Sequence, residues 1–284
     1  MTTNPTVATL LAEGVQRLHA SPLAPGSDPT PDLDAQLLLA HVLGVPRARL
    51  RSHPETAPAP TAAGRYRALI ERRATGEPVA YLTGEKDFWT LRLQVTPAVL
   101  VPRPESELLV ERALALWPAG HARVADLGTG SGAIALALAS ERPAWRVLAS
   151  DVSADALQVA RGNAAALGIS GVEFRLGSWF EPLRDERFEL LVSNPPYIGA
   201  ADPHLAHLSH EPRLALTPGK DALACITAII RGAGRHLVPG GWLLLEHGAT
   251  QAEEVRRELV LAGMRHVRSH RDLAGFERMT EGQQ

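Results

Sequence analysis

The first part of the chain, about eighty residues, carries its apolar side chains at helical spacing. Val7, Leu10, Leu11, Val15 and Leu18 predict one helix, and Ser21-Pro22 with Pro25-Gly26 predicts its end. A second helix opens at Asp32 or Asp34. Its stripe is Leu33, Leu37, Leu38, His41 and Val42, and Gly44 and Pro46 stop it. The prolines between His53 and Pro60 predict a loop. A third helix follows, about Ala62 to Thr75, with Tyr66, Leu69 and Ile70 on one side. No paired carboxylates stand beside a nucleophile in these helices, so they predict an accessory module.

Between Phe88 and Val101 the period changes to alternation. Trp89, Leu91, Leu93 and Val95 point one way and Arg92 and Gln94 the other, which predicts a β-hairpin or an extended linker. Val101-Pro102-Arg103-Pro104-Glu105 leads into a helix from Ser106 to Leu116. From Arg123 onward short apolar strands alternate with helices, the pattern of an open, mostly parallel α/β sheet. Strands are expected at Arg123–Leu127, Arg146–Asp151, Val172–Leu176, Leu190–Ser193 and Trp242–Glu246, with two more near Met264–Ser269 and Glu277–Thr280. Helices are expected at Ala133–Ser140, Ala154–Leu167, Ala222–Leu237 and Ala249–Ala262. The organisation is then a helical domain over 1–85, a hairpin or linker over 86–105, and a doubly wound, seven-stranded α/β domain over 106–284.

Composition narrows the function classes. With 45% hydrophobic and 21% charged residues, the 284-residue chain is not a disordered one. Twenty-nine basic against 31 acidic residues give a net charge of −2, which argues against nucleic-acid binding by charge alone. A single cysteine, Cys225, excludes a disulfide framework and a Cys-rich zinc site. The longest run without charge, Leu127 to Ser140, contains Gly128, Gly130 and Gly132 and is too short to span a bilayer. Glu13 precedes the first basic residue, Arg17, so the N-terminus lacks the pattern of a signal peptide. A soluble, cytoplasmic protein is expected.

Asp126-Leu127-Gly128-Thr129-Gly130-Ser131-Gly132 lies between the first strand and its helix. Glycines at alternate positions permit backbone angles closed to other residues and let a ligand approach the main chain. Asp151 ends the next strand, where a carboxylate accepts hydrogen bonds from both ribose hydroxyls of a nucleoside-containing cofactor. Taken alone, the loop fits S-adenosylmethionine, a dinucleotide (Gly128, Gly130 and Ala133 match G-x-G-x-x-A), or a structural tight turn. The third glycine, Gly132, favours S-adenosylmethionine.

Asn194-Pro195-Pro196-Tyr197 ends the fourth strand. A residue before proline is driven to extended backbone, so Asn194 and Pro195 are both expected to be extended. Neither proline has an N–H, and the stretch therefore offers acceptors without competing donors. The side-chain oxygen of Asn194 and the carbonyl of Pro195 suit the two hydrogens of an –NH₂ group, and the Tyr197 ring suits a planar acceptor. The alternative is a Pro-Pro turn with a buried tyrosine.

Together DLGTGSGAIALALA, Asp151, Gly177-Ser178-Trp179-Phe180 and VSNPPYI resemble a class I S-adenosylmethionine-dependent methyltransferase. More narrowly they resemble the N5-glutamine methyltransferases of peptide-chain release factors. Pro78 to Glu85, Phe88-Trp89 and Val101 to Glu105 are similar to that family's linker segments, and the likeness runs from about Asp32 to Arg278. The resemblance implies a Rossmann-like domain in which Gly128, Thr129, Gly130, Ser131 and Gly132 wrap the methionine part of S-adenosyl-L-methionine. It implies that Asp151 binds the ribose and that Trp179 lies against the adenine, with S-adenosyl-L-homocysteine as product. Asn194, Pro195, Pro196 and Tyr197 would hold the acceptor glutamine of a release factor's Gly-Gly-Gln loop. Two positions depart from the family pattern: Ser178 where an acid is frequent, and His210 where an aromatic residue usually precedes Glu211-Pro212.

On this reading the methyl group passes directly to the amide nitrogen. No strong base is required, because the amide proton becomes acidic only as the new bond forms. Positioning supplies up to ~7–11 kcal/mol, and the gripping carbonyls stabilise the charge that develops on nitrogen. Asn194, Pro195 and Tyr197 are the expected catalytic residues. Other readings are a methyltransferase for a ribosomal-protein glutamine or for amino groups of DNA or RNA, and an inert cofactor-binding scaffold. The near-neutral charge, the Arg103-Pro104-Glu105 context and the intact Asp151 each argue against one of them.

The remaining polar signals predict structure. His204, His207 and His210 do not share a helical face and read as a solvated or peptide-contacting loop, so no metal site is expected. Cys225 reads as a buried, inert thiol. Glu246-His247 reads as a capping or packing pair, with an acid–base pair as the alternative. Arg103 and Glu105 are expected either to contact the substrate protein or to pair with each other.

Overall fold

The structure, a computed structural model, describes residues 4–21, 30–118 and 120–284. The expected helix stop at Pro22 and Pro25-Gly26 lies outside those residues. Two compact units emerge: 1–84 with 203–210, and 85–202 with 211–284. The segment Pro203–Leu208, a 3-10 helix, therefore belongs with the helical unit despite its distance in sequence.

The helical unit is built from α1 (Val7–His19), α2 (Pro31–Leu43), α3 (Arg47–Ser52), α4 (Pro60–Ala74) and α5 (Val79–Thr83). Prolines stand in the first turns of α2 and α4, where a missing N–H costs nothing. Gly44 closes α2 in the left-handed conformation expected of a C-terminal glycine. The core holds Leu10, Leu38, Leu39, Tyr66 and Ile70. Gly14 is required by close approach: a Cβ there would stand 2.0 Å from the Tyr66 hydroxyl oxygen. Arg73 and Asp34, both buried, pair at 2.8 Å. The short helices α3 and α5 were not predicted, since α3 has one buried residue, Leu50, and therefore no stripe.

The second unit begins with a hairpin of β1 (Glu85–Phe88) and β2 (Leu91–Gln94), with Phe88 opposite Leu91. The expected alternation shifts here, because Trp89 sits in the turn at φ 54° and the buried side chains are Phe88, Leu93 and Val95. A 3-10 turn, Pro104–Ser106, leads into α6 (Glu107–Leu116). The sheet that follows contains β3 (Arg123–Leu127), β4 (Arg146–Asp151), β5 (Val172–Leu176), β6 (Phe188–Ser193), β7 (Leu237–Glu246), β8 (Arg265–Arg271) and β9 (Glu277–Gln283). Its order is β5-β4-β3-β6-β7-β9-β8, and β9 runs antiparallel to both neighbours. This is the doubly wound, mostly parallel, seven-stranded sheet that the alternating pattern predicts.

The helices between strands are α7 (Ala133–Glu141), α8 (Ala154–Leu167), α9 (Arg213–Leu216), α10 (Ala224–His236) and α11 (Ala252–Leu261). Alternate strand positions feed two cores. Val124, Val192 and Leu244 pack with α6 and α7 on one face. Ala125, Leu191, Leu243 and Leu245 pack with Ile226, Ile229 and Val255 on the other. Helix α7 is apolar all round and buried from Ala133 to Ala139, as a helix enclosed by protein must be. Strand β7 starts five residues before the expected Trp242. Pro239-Gly240-Gly241 reads as a turn, but here it is absorbed as an irregularity between the Phe188–Leu237 and Leu190–Trp242 pairings. No helix among the described residues is long and apolar enough to cross a membrane.

Candidate active site

A cavity of about 410 Å³ opens beyond the carboxyl ends of β3, β4 and β6. Gly128, Thr129, Gly130, Ser131, Asp151, Trp179, Asn194, Pro196 and Arg103 all line it. Three other residues singled out by sequence stand outside the lining: Gly132, Pro195 and Tyr197.

The loop after β3 takes its shape from left-handed glycines, with Gly128 at φ 79°, Gly130 at 56° and Gly132 at 84°. The amides of Gly128 and Thr129 both donate to the Ser150 carbonyl at 2.9 Å, which ties the loop to β4. Beneath it the buried Asp126 accepts from the Thr129 hydroxyl at 2.6 Å and the Ala135 amide at 3.2 Å. Burial pushes the Asp126 carboxyl up to about 7. Gly132 is the amino-terminal cap of α7, where a Cβ would meet Leu136 at 3.0 Å and Ala160 at 3.2 Å. Its role in the structure is therefore close packing.

Asp151 is anchored on both oxygens. Oδ2 accepts from the Gly130 amide and Oδ1 from the Ser153 amide, each at 2.9 Å. Burial raises its pKa from the ordinary carboxylate value, and these amides oppose that rise. The Val152 amide bonds the carboxylate as well, and the acceptor capacity that the three amides leave faces the cavity. Trp179 lies across the loop: its ring is the nearest group to a Cβ built on Gly128, at 3.7 Å, and its backbone is held at φ 42°.

At the end of β6 the Asn194 side-chain nitrogen donates to the Ser106 hydroxyl oxygen at 3.0 Å. Ser106 in turn donates to Glu246 Oε2 at 2.6 Å, and the Tyr197 hydroxyl donates to Glu246 Oε1 at 3.2 Å. From sequence, Ser106 is only the start of a helix and Glu246 only a capping or packing residue. Register explains their meeting, since Ser193 pairs with Leu245 in adjacent parallel strands and brings Asn194 beside Glu246. Burial pushes the Glu246 carboxyl up to about 7 and raises the Tyr197 hydroxyl above its ordinary value.

His247 takes the packing role expected of it rather than the acid–base alternative: it bonds the Thr280 hydroxyl at 2.8 Å and the Gly248 carbonyl at 2.9 Å. Two sequence-based expectations are corrected here. Arg103 pairs with Glu211 rather than Glu105, and Glu211 also accepts from the Val101 amide at 3.0 Å. Cys225 is half-buried and lines the cavity, because α10 begins at Ala224 and presents its first turn there. Its thiol is pushed up by burial. The 203–210 segment, expected as a loop, forms a 3-10 helix over Pro203–Leu208. His204 and His207 are exposed, and His210 bonds the Thr75 carbonyl at 3.1 Å.

Sheet order, glycine loop and strand-end cavity together define a methyltransferase domain. A family model described as "Methyltransferase small domain" matches residues 104–209, and one described as "PrmC N-terminal domain" matches 9–84. The solved structure of a methyltransferase from Pyrococcus furiosus shares the fold at a TM-score of 0.53 and 18% identity, over 75% of this chain and 98% of its own. Two curated relatives are much nearer. The release factor glutamine methyltransferase of Xylella fastidiosa (strain Temecula1) is 50% identical over 92% of this chain and 96% of its own length. That of Escherichia coli (strain K12) is 44% identical over 96% of each. The chain belongs to the release factor glutamine methyltransferase family.

Proposed function

We propose that this chain transfers a methyl group from S-adenosyl-L-methionine to the side-chain amide nitrogen of the glutamine in the Gly-Gly-Gln loop of peptide-chain release factors. The observation that carries this reading is the state of Asn194 at the cavity wall. Its amide nitrogen is committed to Ser106, which leaves the side-chain oxygen as the end available to an incoming N–H. Membership of the family supports the identity of the acceptor.

The residues present fit the cofactor. A Cβ at Gly130 would meet nothing within 4 Å, so the loop leaves room for a ligand against its main chain. The cavity volume of about 410 Å³ falls within the roughly 300–1,000 Å³ of cofactor sites. In this role Gly128 to Ser131 hold the methionine part, Asp151 takes the ribose hydroxyls and Trp179 covers the adenine. When bound, the cofactor supplies an electrophilic methyl group on a sulfonium.

The chain's own residues do the positioning. Asn194 Oδ1 and the Pro195 carbonyl accept the two hydrogens of the substrate amide and turn its lone pair toward the cofactor. Their partial charges would stabilise the positive charge that grows on nitrogen as the methyl group leaves the sulfonium sulfur for it, and one N–H proton, made acidic by that charge, would then pass to solvent. Pro196 and Tyr197 shape the acceptor side, and Arg103 meets the release factor at the rim. Partners of the translation apparatus imply a cytoplasmic setting.

Labelled methyl transfer to a purified release factor, beside the same factor with its Gly-Gly-Gln glutamine changed to alanine, tests the reading. Label on the first alone is expected. Equal label on both would move the acceptor elsewhere. No label on either would return the ribosomal-protein and nucleic-acid readings, for which the same Asn194 oxygen suits an amide or amino group.

A further inference from the structure

Glu246 is 1% exposed and Ser106 4%, and Glu246 meets its near partners through hydroxyl groups. A buried carboxylate held this way raises the cost of folding, because hydroxyls compensate its lost hydration less than a cation does. A neutral side chain of the same size would be cheaper. The carboxylate does what no amide can: both of its oxygens are acceptors.

That property fixes the direction of every hydrogen bond in the group. Ser106 must donate to Oε2, so its oxygen is left to accept, and the group at 3.0 Å that donates to it is the Asn194 nitrogen. The side-chain amide of Asn194 cannot rotate by half a turn without pointing its oxygen at the Ser106 oxygen. Tyr197 must likewise donate to Oε1. One carboxylate therefore sets which end of Asn194 faces the cavity and where the Tyr197 ring stands. The backbone assists. Ser106 ends the 3-10 turn that Pro104 opens, and the parallel register of β6 and β7 puts Asn194 level with Glu246.

We propose that Glu246 and Ser106 are positioning residues for methyl transfer. Glu246 orders the Ser106 hydroxyl, Ser106 locks the orientation of the Asn194 amide, and the second Glu246 oxygen holds Tyr197. The inference rests on the proposed role of Asn194 as the acceptor for the substrate amide. Neither residue touches the reacting atoms. Glu246→Gln keeps the shape and breaks the polarity, since one end of the new amide must donate where the carboxylate accepted.

The test compares wild type with Ser106→Ala, Ser106→Cys, Ser106→Thr and Glu246→Gln in two readouts. Steady-state transfer to a release factor should show kcat reduced roughly ten- to a hundredfold in Ser106→Ala and Glu246→Gln, as misplacement of a reacting group predicts. The dissociation constant for S-adenosylhomocysteine should stay within about twofold of wild type. Ser106→Thr, which keeps the hydroxyl, should recover most of the loss, and Ser106→Cys should fall between. The second readout needs no acceptor. The Asn194 side-chain NH₂ resonances, assigned by their absence in Asn194→Asp, should be protected from solvent exchange in wild type and Ser106→Thr and exposed in Ser106→Ala.

Exchange that is unchanged in Ser106→Ala overturns the proposal even if the release factor proves to be the wrong substrate. Losses that threonine does not rescue, or equal losses of turnover and cofactor binding, overturn it as well. Absence of transfer by the wild type, with the exchange pattern as expected, counts against the release-factor reading and leaves the positioning role supported.

Discussion

Asp151 Oδ2 and the Gly130 amide are joined by a hydrogen bond of 2.9 Å, so the acid at the end of β4 and the loop after β3 are one assembly. Removing the carboxylate therefore has two effects. It takes away the proposed ribose acceptor, and it frees the Gly130 and Ser153 amides that shape the cavity floor. Asp151→Ala is expected to weaken S-adenosylhomocysteine by roughly ten- to a hundredfold, about 1.4–2.8 kcal/mol. Asp151→Asn retains an oxygen and should lose less. Titration calorimetry decides, and an unchanged affinity in Asp151→Ala would remove Asp151 from the cofactor site.

The Glu211 carboxylate, 3% exposed at its side chain, holds Arg103 and the Val101 amide together. Glu211→Ala leaves a buried amide without its acceptor and a guanidinium without its counter-ion. Because Arg103 remains 37% exposed, water screens that part of the loss. Destabilisation of about 1–3 kcal/mol is expected from the amide and the altered packing. Denaturant unfolding measures it. Arg103→Ala should raise KM for the release factor and leave cofactor affinity alone, and a rise in both would mean that Arg103 shapes the cavity rather than the docking.

In the helical unit the contact between Gly14 and Tyr66 admits no side chain, since a Cβ would lie 2.0 Å from the phenol oxygen. Gly14→Ala improves helix propensity by ~1 kcal/mol. The overpacking it forces costs about 1–3 kcal/mol and should win, because Tyr66 is fully buried and has nowhere to move. A stabilised variant, read by thermal unfolding, would show that the helices can separate to admit the methyl group.

The glycine loop and the Asn194 tetrapeptide were legible because local rules govern them. Left-handed backbone selects glycine, and proline fixes the extended run before it. Strands were legible where the apolar run was continuous. At β7 the turn-forming Pro239-Gly240-Gly241 concealed half the strand, since only the pairing with β6 shows that it is absorbed. The Ser106–Glu246 and Arg103–Glu211 bonds join residues 140 and 108 positions apart. Nothing local marks such partners, and strand order with register decides which distant side chains meet. Cys225 was misread for a related reason: apolar neighbours signal a buried helix but not which turn borders a cavity.

Burial holds the Glu246 carboxyl neutral up to about pH 7, against about 4.3 in an unfolded chain. The folded state then binds more protons than the unfolded state between those values, so this group's contribution to stability is lost as pH rises through that window. Asp126, also pushed up to about 7, acts in the same direction. Glu246→Gln should therefore flatten, without abolishing, the fall in unfolding free energy from pH 5 to about 7.5. Activity should run the opposite way. The polarity that orients Asn194 requires an ionised Glu246, so kcat should drop below about pH 7, and Glu246→Gln should lack that limb. Glu105 raises the Glu246 pKa and Arg278 lowers it, while the Tyr197 hydroxyl favours the ionised form. Arg278→Gln should therefore move the limb to higher pH. A limb that persists in Glu246→Gln would belong to another group.

Cys225 reports on the cavity without changing it. The thiol lines the pocket, half-buried, with its pKa raised by burial. Alkylation requires the thiolate, so iodoacetamide should react slowly at neutral pH and faster as pH rises. A molecule seated on the glycine loop and Asp151 restricts access to the same space. S-adenosylhomocysteine is therefore expected to slow labelling of Cys225, read by intact-protein mass spectrometry at matched pH. Protection should follow the cofactor's affinity across the Asp151 variants. Labelling that is indifferent to S-adenosylhomocysteine would put the cofactor elsewhere in the cavity.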